Sequence, residues 1–523
     1  MELMKGAWRV THPVMSRRGA LRLGGLAVPA LALPAVLTGC GTAAGAPSGG
    51  ELRVAQTEDP STLDPHKQGD MITMNVLINI FDTLTARDTR GRLAPRLALS
   101  WQVRSPTAWR FKLRRGVRFH NGERCDAAAV KFSIERILDP ATRSPIVELR
   151  YVKSVSVVDE HTVDIHTTQH DPILPDKLSL FGGVIVPPGY IAEVGDAAFA
   201  RKPVGTGPFR FVSWLRDREL RMRRHPGHFH GTPNVRELVF RPLPNPASSL
   251  AALQSGEVDL VTGLTPDAAR QLSGYAGVEL ENHPGTRAAY LNLDTESGPL
   301  RDRRVRQALN HAVDVPLLID AVLDGKAREV PAMVPHGTFG FDASVKPYRR
   351  SVRTARRLLA EAGHPDGFTT TLTASNTDAQ VAEAISGLLD RAGIRARVEL
   401  LDPGTYASRL TSDNRRALGP LYLAASSVWT LDGSSMLQSN VRSDRRQSRW
   451  TSDRADDLID AEELSVSPEK RAKAFSELQQ LMLDEAPFVS LYQQDIILAR
   501  TTRAHWTPII NGALAMESAE VSR

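Results

Sequence analysis

The hydrophobic and polar positions of the chain alternate between a strand-like and a helix-like period. Apolar and basic residues alternate over residues 109–113, which predicts a half-buried strand. Asp126 then precedes apolar residues at helical spacing, so it is expected to cap a helix. These apolar residues are Val130, Ile134, Ile137 and Leu138.

The second half of the chain repeats this scheme. Helical spacing of apolar residues predicts helices over 305–313, 355–362 and 381–392, with Ser351 at the start of the second. A period-two strand follows over residues 394–400. The pattern therefore predicts an α/β body with mixed sheets.

The first 39 residues have the features of an export signal. They carry five basic residues and one acidic residue, followed by an apolar run over residues 23–37 that is too short and too interrupted by proline to span a membrane. Arg17 and Arg18 lie in a string that resembles a twin-arginine signal. We therefore expect residues 1–39 to be a signal peptide that directs export by either the twin-arginine or the general secretory route.

Cys40 ends the string Leu-Thr-Gly-Cys, which resembles a bacterial lipobox. In that reading the thiol takes a diacylglyceryl group, and residues 40–50, rich in Gly, Ala, Ser and Pro, form a flexible tether. The alternative is an ordinary thiol after an ordinary signal. The lipobox predicts a protein anchored by lipid to the outer face of the cell membrane.

The net charge and the cysteine count are informative only when the predicted signal peptide is excluded. The 523 residues have a formal net charge of +6, of which residues 1–39 contribute +4. The remaining +2 gives no case for nucleic-acid binding. The second cysteine, Cys125, would be alone in a lipidated protein, so no internal disulfide is expected.

Six strings occur in a fixed order over most of the chain after residue 52. They are FDTLT (81–85), FKLRRGVRFHNGE (111–123) with VKFSIERILDP (130–140), PVGTGPFRFVSW (203–214), LQSGEVDLV (253–261), LRDRRVRQALNHAVD (300–314) and ARRLLAEAG (355–363). In this order they resemble the family 5 extracellular solute-binding proteins, the peptide and nickel binding components of ABC importers.

The resemblance implies an α/β, two-lobed periplasmic-binding-protein-like fold (class II, cluster C) with mixed sheets, a hinge and an additional inserted domain. Lobe I would comprise residues 50–92, 206–288 and 486–523, the inserted domain residues 93–205, and lobe II residues 289–485. In this layout a ligand is buried between closing lobes.

The same resemblance implies a monomeric, non-enzymatic protein that captures a peptide or similar solute and delivers it to an ABC permease and ATPase complex. No cofactor is expected. Alternatives are a binding protein for a metal chelate or oligosaccharide, a ligand-sensing receptor, and a secreted hydrolase. The hydrolase is disfavoured because no local catalytic motif is present, and no catalytic residue is predicted.

The string Trp429-Thr430-Leu431-Asp432 matches a Trp-x-x-Asp string that lines the cleft in peptide-binding members. The resemblance implies that the Asp432 carboxylate pairs with the ligand's α-ammonium group and that the Trp429 indole contacts a ligand side chain. A surface turn over residues 432–435 is the alternative.

Two further segments bear on the ligand. Residues 375–380, where dipeptide binders of the family place an arginine that grips the ligand's C-terminus, contain no cation, so longer peptides, modified peptides and non-peptide solutes stay open. Three histidines lie within residues 225–230, and imidazole suits nickel, copper and zinc. The segment aligns with a structural turn of the family, so no metal site is predicted.

Overall fold

A computed structural model describes residues 50–522 of the chain. The predicted signal peptide with Arg17 and Arg18, the lipidation site Cys40 and nearly all of the predicted tether lie outside the described residues. Within residues 50–522, no helix is both long and apolar enough to cross a membrane.

The described residues form nineteen strands. They are β1 Glu51–Gln56, β2 Thr85–Arg87, β3 Leu93–Pro95, β4 Ala98–Ser105, β5 Ala108–Leu113, β6 Val152–Asp159, β7 Thr162–Thr167, β8 Phe209–Leu215, β9 Glu219–Arg224, β10 Glu237–Pro242, β11 Leu260–Thr262, β12 Val278–Leu293, β13 Ala327–Glu329, β14 Phe368–Ser375, β15 Ile394–Leu401, β16 Leu421–Ser427, β17 Phe488–Thr501, β18 Ala504–His505 and β19 Glu520–Val521.

Fifteen α-helices lie between these strands in the same part of the chain. They are α1 Met71–Leu77, α2 Ala127–Leu138, α3 Leu174–Lys177, α4 Pro188–Val194, α5 Asp196–Phe199, α6 Pro246–Gln254, α7 Pro266–Leu272, α8 Arg303–Ala312, α9 Val315–Val322, α10 Val352–Glu361, α11 Ala379–Asp390, α12 Pro403–Leu410, α13 Ser434–Asn440, α14 Asp453–Glu463 and α15 Pro468–Glu485.

The predicted helix starts are confirmed by their caps. The Asp126 carboxylate accepts hydrogen bonds from the backbone N–H groups of Ala128 and Ala129 at the start of α2. The Ser351 hydroxyl caps α10 by accepting from Thr354 N–H. Both side chains satisfy amides that have no partner inside the helix.

One mixed sheet of eleven strands runs through the molecule in the order β15-β14-β16-β12-β17-β11-β1-β10-β9-β8, with β13 also paired to β17. A separate four-stranded antiparallel sheet, β4-β5-β7-β6, carries α2 on one face. The long antiparallel pair β12 and β17 joins the two halves of the large sheet, and its register shifts between Pro284 and Arg287.

Two lobes are recognisable from the buried apolar cores on either side of this register shift. The first lobe packs β1, β8–β10 and the four-stranded sheet around one large core. The second lobe packs α8–α11 and β14–β16 around another, with a third core beneath α13–α15. The predicted domain boundaries stay predictions. Residues 488–492 of β17, which the prediction assigns to lobe I, pack against the cores of the second lobe.

Candidate ligand-binding cleft

Two cavities lie on either side of Trp429, where the loop after β16 meets the first lobe. The outer cavity, of about 350 Å³, lies between residues 147–177 and residues 426–463. A second cavity, of about 360 Å³, is lined by the segment 506–514 and by β12 and β17, the long pair that joins the two halves of the large sheet, and we call it the hinge cavity. Ser427 and Trp429 line both cavities. The half-buried indole is therefore a wall shared by two parts of one cleft, each at the lower end of the size range of small-molecule sites.

The outer cavity carries charges of both signs. Lys177 pairs with Asp171 at 2.8 Å (Nζ to Oδ2), and a nitrogen of Arg150 lies 3.7 Å from an oxygen of Glu463. Glu148 also lines the cavity, and within residues 50–522 no cationic side chain lies within ion-pair distance of its carboxylate. Burial raises the pKa of Glu148, and Lys177 and Arg150 act in the opposite direction. The outer cavity can therefore offer a carboxylate to a cationic ligand group.

The hinge cavity also contains charges of both signs, Arg287 and Asp495. Arg287 lines it from β12, where the residue stands between Ser427 of β16 and Gln494 of β17. Its side chain is exposed, and no carboxylate among residues 50–522 forms an ion pair with it. Asp495, in the same cavity, instead accepts a hydrogen bond from Asn282 at 2.7 Å. Arg287 is thus available to an anionic ligand group.

No local feature of the sequence singles out Arg287, because an arginine within a strand is usually a solvated residue. The predicted place for a carboxylate-binding cation, residues 375–380, contains none, yet Asp378 from that segment lies within the electrostatic field of Arg287. Burial raises the pKa of Asp378 and Arg287 lowers it. The fold therefore brings a cation to this region from another strand.

Asp432 lies beneath the cleft and lines neither cavity. Its Oδ1 accepts hydrogen bonds from Ser434 N–H (3.0 Å), the Ser434 hydroxyl (2.6 Å) and the Arg471 guanidinium (2.9 Å). Arg471 also donates to Glu462 at 3.1 Å, and all three charged side chains are nearly inaccessible to solvent. Burial, reinforced by Asp432, raises the pKa of Glu462 to about 7. Pairing of Asp432 with a ligand ammonium stays a prediction, and such a ligand would have to share a carboxylate that already has three donors.

Contacts from the first lobe hold the Trp429 loop. The Asn511 amide donates to the Trp429 carbonyl at 3.4 Å. Arg87 donates both to the Thr430 carbonyl and to Asp176, a half-buried carboxylate on α3. Burial raises the pKa of Asp176 to about 6, against the lowering effect of Arg87. The lobes therefore meet at the loop that separates the two cavities.

The histidines of residues 225–230 form part of a turn after β9. The His228 side chain is fully buried, with one ring nitrogen 3.4 Å from Asp82 and the other 3.4 Å from Glu517. Among residues 50–522, no group of three or more His, Cys, Asp and Glu side chains is arranged to hold a metal ion. Cys125 is a buried free thiol whose pKa is raised by burial.

A model of the family described as bacterial extracellular solute-binding proteins, family 5 (middle region), matches residues 92–448. The chain belongs to this family. The family 5 protein is 25% identical over 464 residues to the glutathione-binding protein GsiB of Escherichia coli (strain K12), covering 86% of this chain and 90% of GsiB. The resemblance found in the sequence is thus confirmed.

Solved structures agree with this assignment. The ABC transporter-associated periplasmic binding protein DppA of Helicobacter pylori, in complex with the peptide STSA, superimposes with a TM-score of 0.77 at 25% identity, covering 91% of this chain and 98% of DppA. MoaA of A. tumefaciens R10, in complex with mannopinic acid, gives a TM-score of 0.75 at 25% identity over 91% of this chain and 100% of MoaA. The predicted two-lobed fold and the solute-binding role are confirmed, and the family consists of binding proteins rather than enzymes.

Proposed function

We propose that this family 5 protein captures a small zwitterionic peptide, or a peptide-like acid, in the cleft around Trp429 and delivers it to an ABC permease. The observation that carries the proposal is that two adjoining cavities each contain a charged side chain, one cationic and one anionic, that forms no ion pair among residues 50–522. Arg287 in the hinge cavity has no protein carboxylate as an ion-pair partner, and Glu148 in the outer cavity has no protein cation, within the described residues. A ligand with a carboxylate and an ammonium group would satisfy both.

Physical reasons favour this pairing over a purely apolar ligand. A charge left without a partner loses hydration when two lobes close over it, and an opposite ligand charge compensates that loss. A charge-assisted hydrogen bond in such a site contributes about 1.5–3 kcal/mol. Trp429 between the cavities adds an apolar face for the middle of the ligand. GsiB, by its name, binds glutathione, and the DppA complex contains a tetrapeptide.

The decisive experiment is native mass spectrometry of the purified protein, followed by denaturation and identification of any released small molecule. A co-purified peptide, or a peptide that binds stoichiometrically from a defined mixture and is recovered uncleaved, supports the proposal. Recovery of cleaved peptide would instead support the hydrolase alternative. Capture of a metal chelate or an uncharged oligosaccharide would contradict the role given to Arg287 and Glu148.

A second candidate is a non-peptide acid. It is favoured by MoaA, whose structure contains mannopinic acid and which matches this chain as closely as DppA does in identity. Arg287 could bind the carboxylate of either ligand class. Calorimetric titration with an acidic peptide and with its amidated form, alongside a non-peptide acid, separates the two candidates.

We also propose that residues 1–39 are removed on export and that Cys40 carries the lipid anchor, with the mature protein a monomer outside the membrane. The sequence supports this, because a basic segment, an apolar run and a lipobox follow one another in that order. Mass spectrometry of the membrane fraction should show a diacylglyceryl modification on an N-terminal Cys40. The Cys40→Ser variant should lose both the modification and the membrane association. A sensing role would be recognised if a membrane signalling protein, rather than a permease, co-purifies with the ligand-bound form.

A further inference from the structure

A cavity of about 430 Å³ in the first lobe is lined by basic residues and, among the residues that the structure describes, by no Asp or Glu. It lies where the segment 115–122, the start of β8 and the turn after β9 meet, and it shares no lining residue with the two cavities of the ligand cleft. Its guanidinium groups come from Arg115, Arg118 and Arg210, and all three side chains are exposed. We call these three arginines the basic surface.

The charge of the basic surface comes from its arginines. Among residues 50–522 none of the three forms an ion pair with a carboxylate; Arg118 donates to the Gly122 carbonyl at 2.8 Å, and Arg210 donates to His225 Nδ1 at 3.0–3.1 Å. Burial lowers the pKa of His225 to about 4, with Arg210 contributing in the same direction. His225 is therefore neutral near pH 7, and three positive charges remain at the cavity.

The neighbouring carboxylates do not neutralise this charge. Glu123 accepts hydrogen bonds from the Gly189 and Tyr190 N–H groups, which hold it toward α4. Glu517, behind the turn, pairs with Arg96. Asp126 and Glu160 line a neighbouring cavity together with Arg118, but Asp126 accepts from the amides at the start of α2 and Glu160 pairs with Arg124. Asp159, at the end of β6, does not line the basic cavity.

The basic surface lies at the end of the large sheet where Gly50 leads into β1, because the start of β1, the end of β9 and the start of β8 are at the same end of the strands. The Gly50 carbonyl accepts from Arg236 N–H at 3.0 Å, and the Arg236 carbonyl accepts from Arg224 N–H at 3.0 Å. Gly50 is therefore two strand spacings, about 10 Å, from Arg224. The next residue, His225, lines the basic cavity. A membrane anchor attached through the residues before Gly50 would therefore connect to the folded body near the basic surface.

We propose that Arg115, Arg118 and Arg210 contact anionic lipid headgroups of the membrane to which the chain is tethered, and so orient the receptor on that membrane. The inference rests on the lipid anchor proposed above. The ten peptide units from Cys40 to Gly50 span at most about 36 Å, so an anchored body stays within that distance of the bilayer. A flexible tether limits the distance between the folded body and the bilayer but does not set the orientation of the body. Basic residues within about a Debye length of an anionic surface are attracted to it, so they can set that orientation.

The test measures vesicle binding by an unlipidated mature chain, residues 41–523, which contains all the sheets and cores described above. The vesicles are pure phosphatidylcholine, or phosphatidylcholine with 30% phosphatidylglycerol, and binding is measured by co-sedimentation. We expect binding to the anionic vesicles alone, weakened by raising the salt concentration. Each arginine near the surface should contribute about fivefold to the partition coefficient, so the R115A/R118A/R210A variant should bind about a hundredfold more weakly.

A matched control removes the same net charge at the opposite edge of the large sheet and in the second lobe. The R353A/R395A/R397A variant also loses three exposed arginines, two of them on the edge strand β15. It should bind within about twofold of the parent chain, as should R115K/R118K/R210K, in which the charge is retained. Equal losses in the two alanine variants would refute the proposal.

Two further outcomes separate the proposal from its alternatives. Calorimetric binding of inorganic phosphate at the basic surface, without vesicle binding, would identify a site for a free anion and overturn the membrane assignment. Acylation of Cys40 is measured separately by mass spectrometry, so failure of the anchor and failure of the basic surface give different results. Thermal unfolding of each variant confirms that the compared proteins are folded.

Discussion

Replacement of Arg471 by methionine is expected to destabilise the protein because the guanidinium serves two buried carboxylates. Arg471 donates to Asp432, to Glu462 and to the Ser434 hydroxyl over 2.8–3.1 Å. The side chains of Arg471, Asp432 and Glu462 are 7%, 5% and 0% exposed. Removing one partner of such a buried pair costs about 3–5 kcal/mol, because an uncompensated charge is left behind.

The pH dependence of this loss follows from Glu462. Its pKa in the folded protein is about 7, above the ordinary 4.5, because of burial and Asp432, and Arg471 holds it from rising further. Without Arg471, Glu462 stays protonated to a higher pH. Above pH 7 the loss in the variant should therefore grow by up to about 1.4 kcal/mol per pH unit.

The assay is urea-induced unfolding of the parent and of Arg471→Met at pH 6 and pH 8. The expected result is a lower free energy of unfolding at both pH values and a larger loss at pH 8. Arg353→Met, at an exposed position of α10, is the control and should change the free energy of unfolding by less than about 0.5 kcal/mol. A loss below about 1 kcal/mol, or one of equal size at both pH values, would refute the reasoning about the buried cluster.

Four other outcomes follow from the structure. Arg287→Ala should weaken binding of a free-carboxylate ligand by about 10- to 100-fold and leave binding of its amidated form unchanged in calorimetry; equal effects on both forms would remove Arg287 from the site. Trp429→Ala should reduce a ligand-dependent change in tryptophan fluorescence and leave the contribution of Trp506, which also lines the hinge cavity; retention of the full change would place the ligand away from Trp429. Asp432→Asn should lower the free energy of unfolding, and a selective loss of affinity for ligands with a free amine at unchanged stability would instead support its predicted contact with the α-ammonium group. The Cys125 thiol should not react with a thiol reagent until the protein unfolds, whereas rapid labelling of native protein would contradict its burial.

The ligand cleft shows why the site was only partly predictable. Trp429 is predicted as a ligand contact because a short string resembles a motif of the family, and in the structure this residue lines both cavities. Arg287 and Glu148 lie 139 positions apart in sequence and have no distinguishing neighbours. Their charges become informative only when the fold shows which side chains lack a counter-charge.

The role of Asp432 could also not be predicted from its local sequence. Its local sequence fits a ligand contact and a turn equally well. The choice depends on Arg471, which comes from α15, 39 positions later, and on Glu462 at the end of α14. Burial and ion pairing are properties of the packed elements, so a local string cannot reveal them.

The sequence by itself determined the local elements and the family. Periodicity and capping residues such as Asp126 and Ser351 act over one or two turns of chain, so they can be read without knowing the fold. Only the tertiary structure decided which charges meet. It left Arg287 and Glu148 without ion-pair partners among residues 50–522, enclosed Asp432 in a buried cluster, and placed three arginines near the start of β1, where Gly50 leads into the fold. These outcomes depend on long-range packing, because the electrostatic environment of a side chain is set by residues distant in sequence.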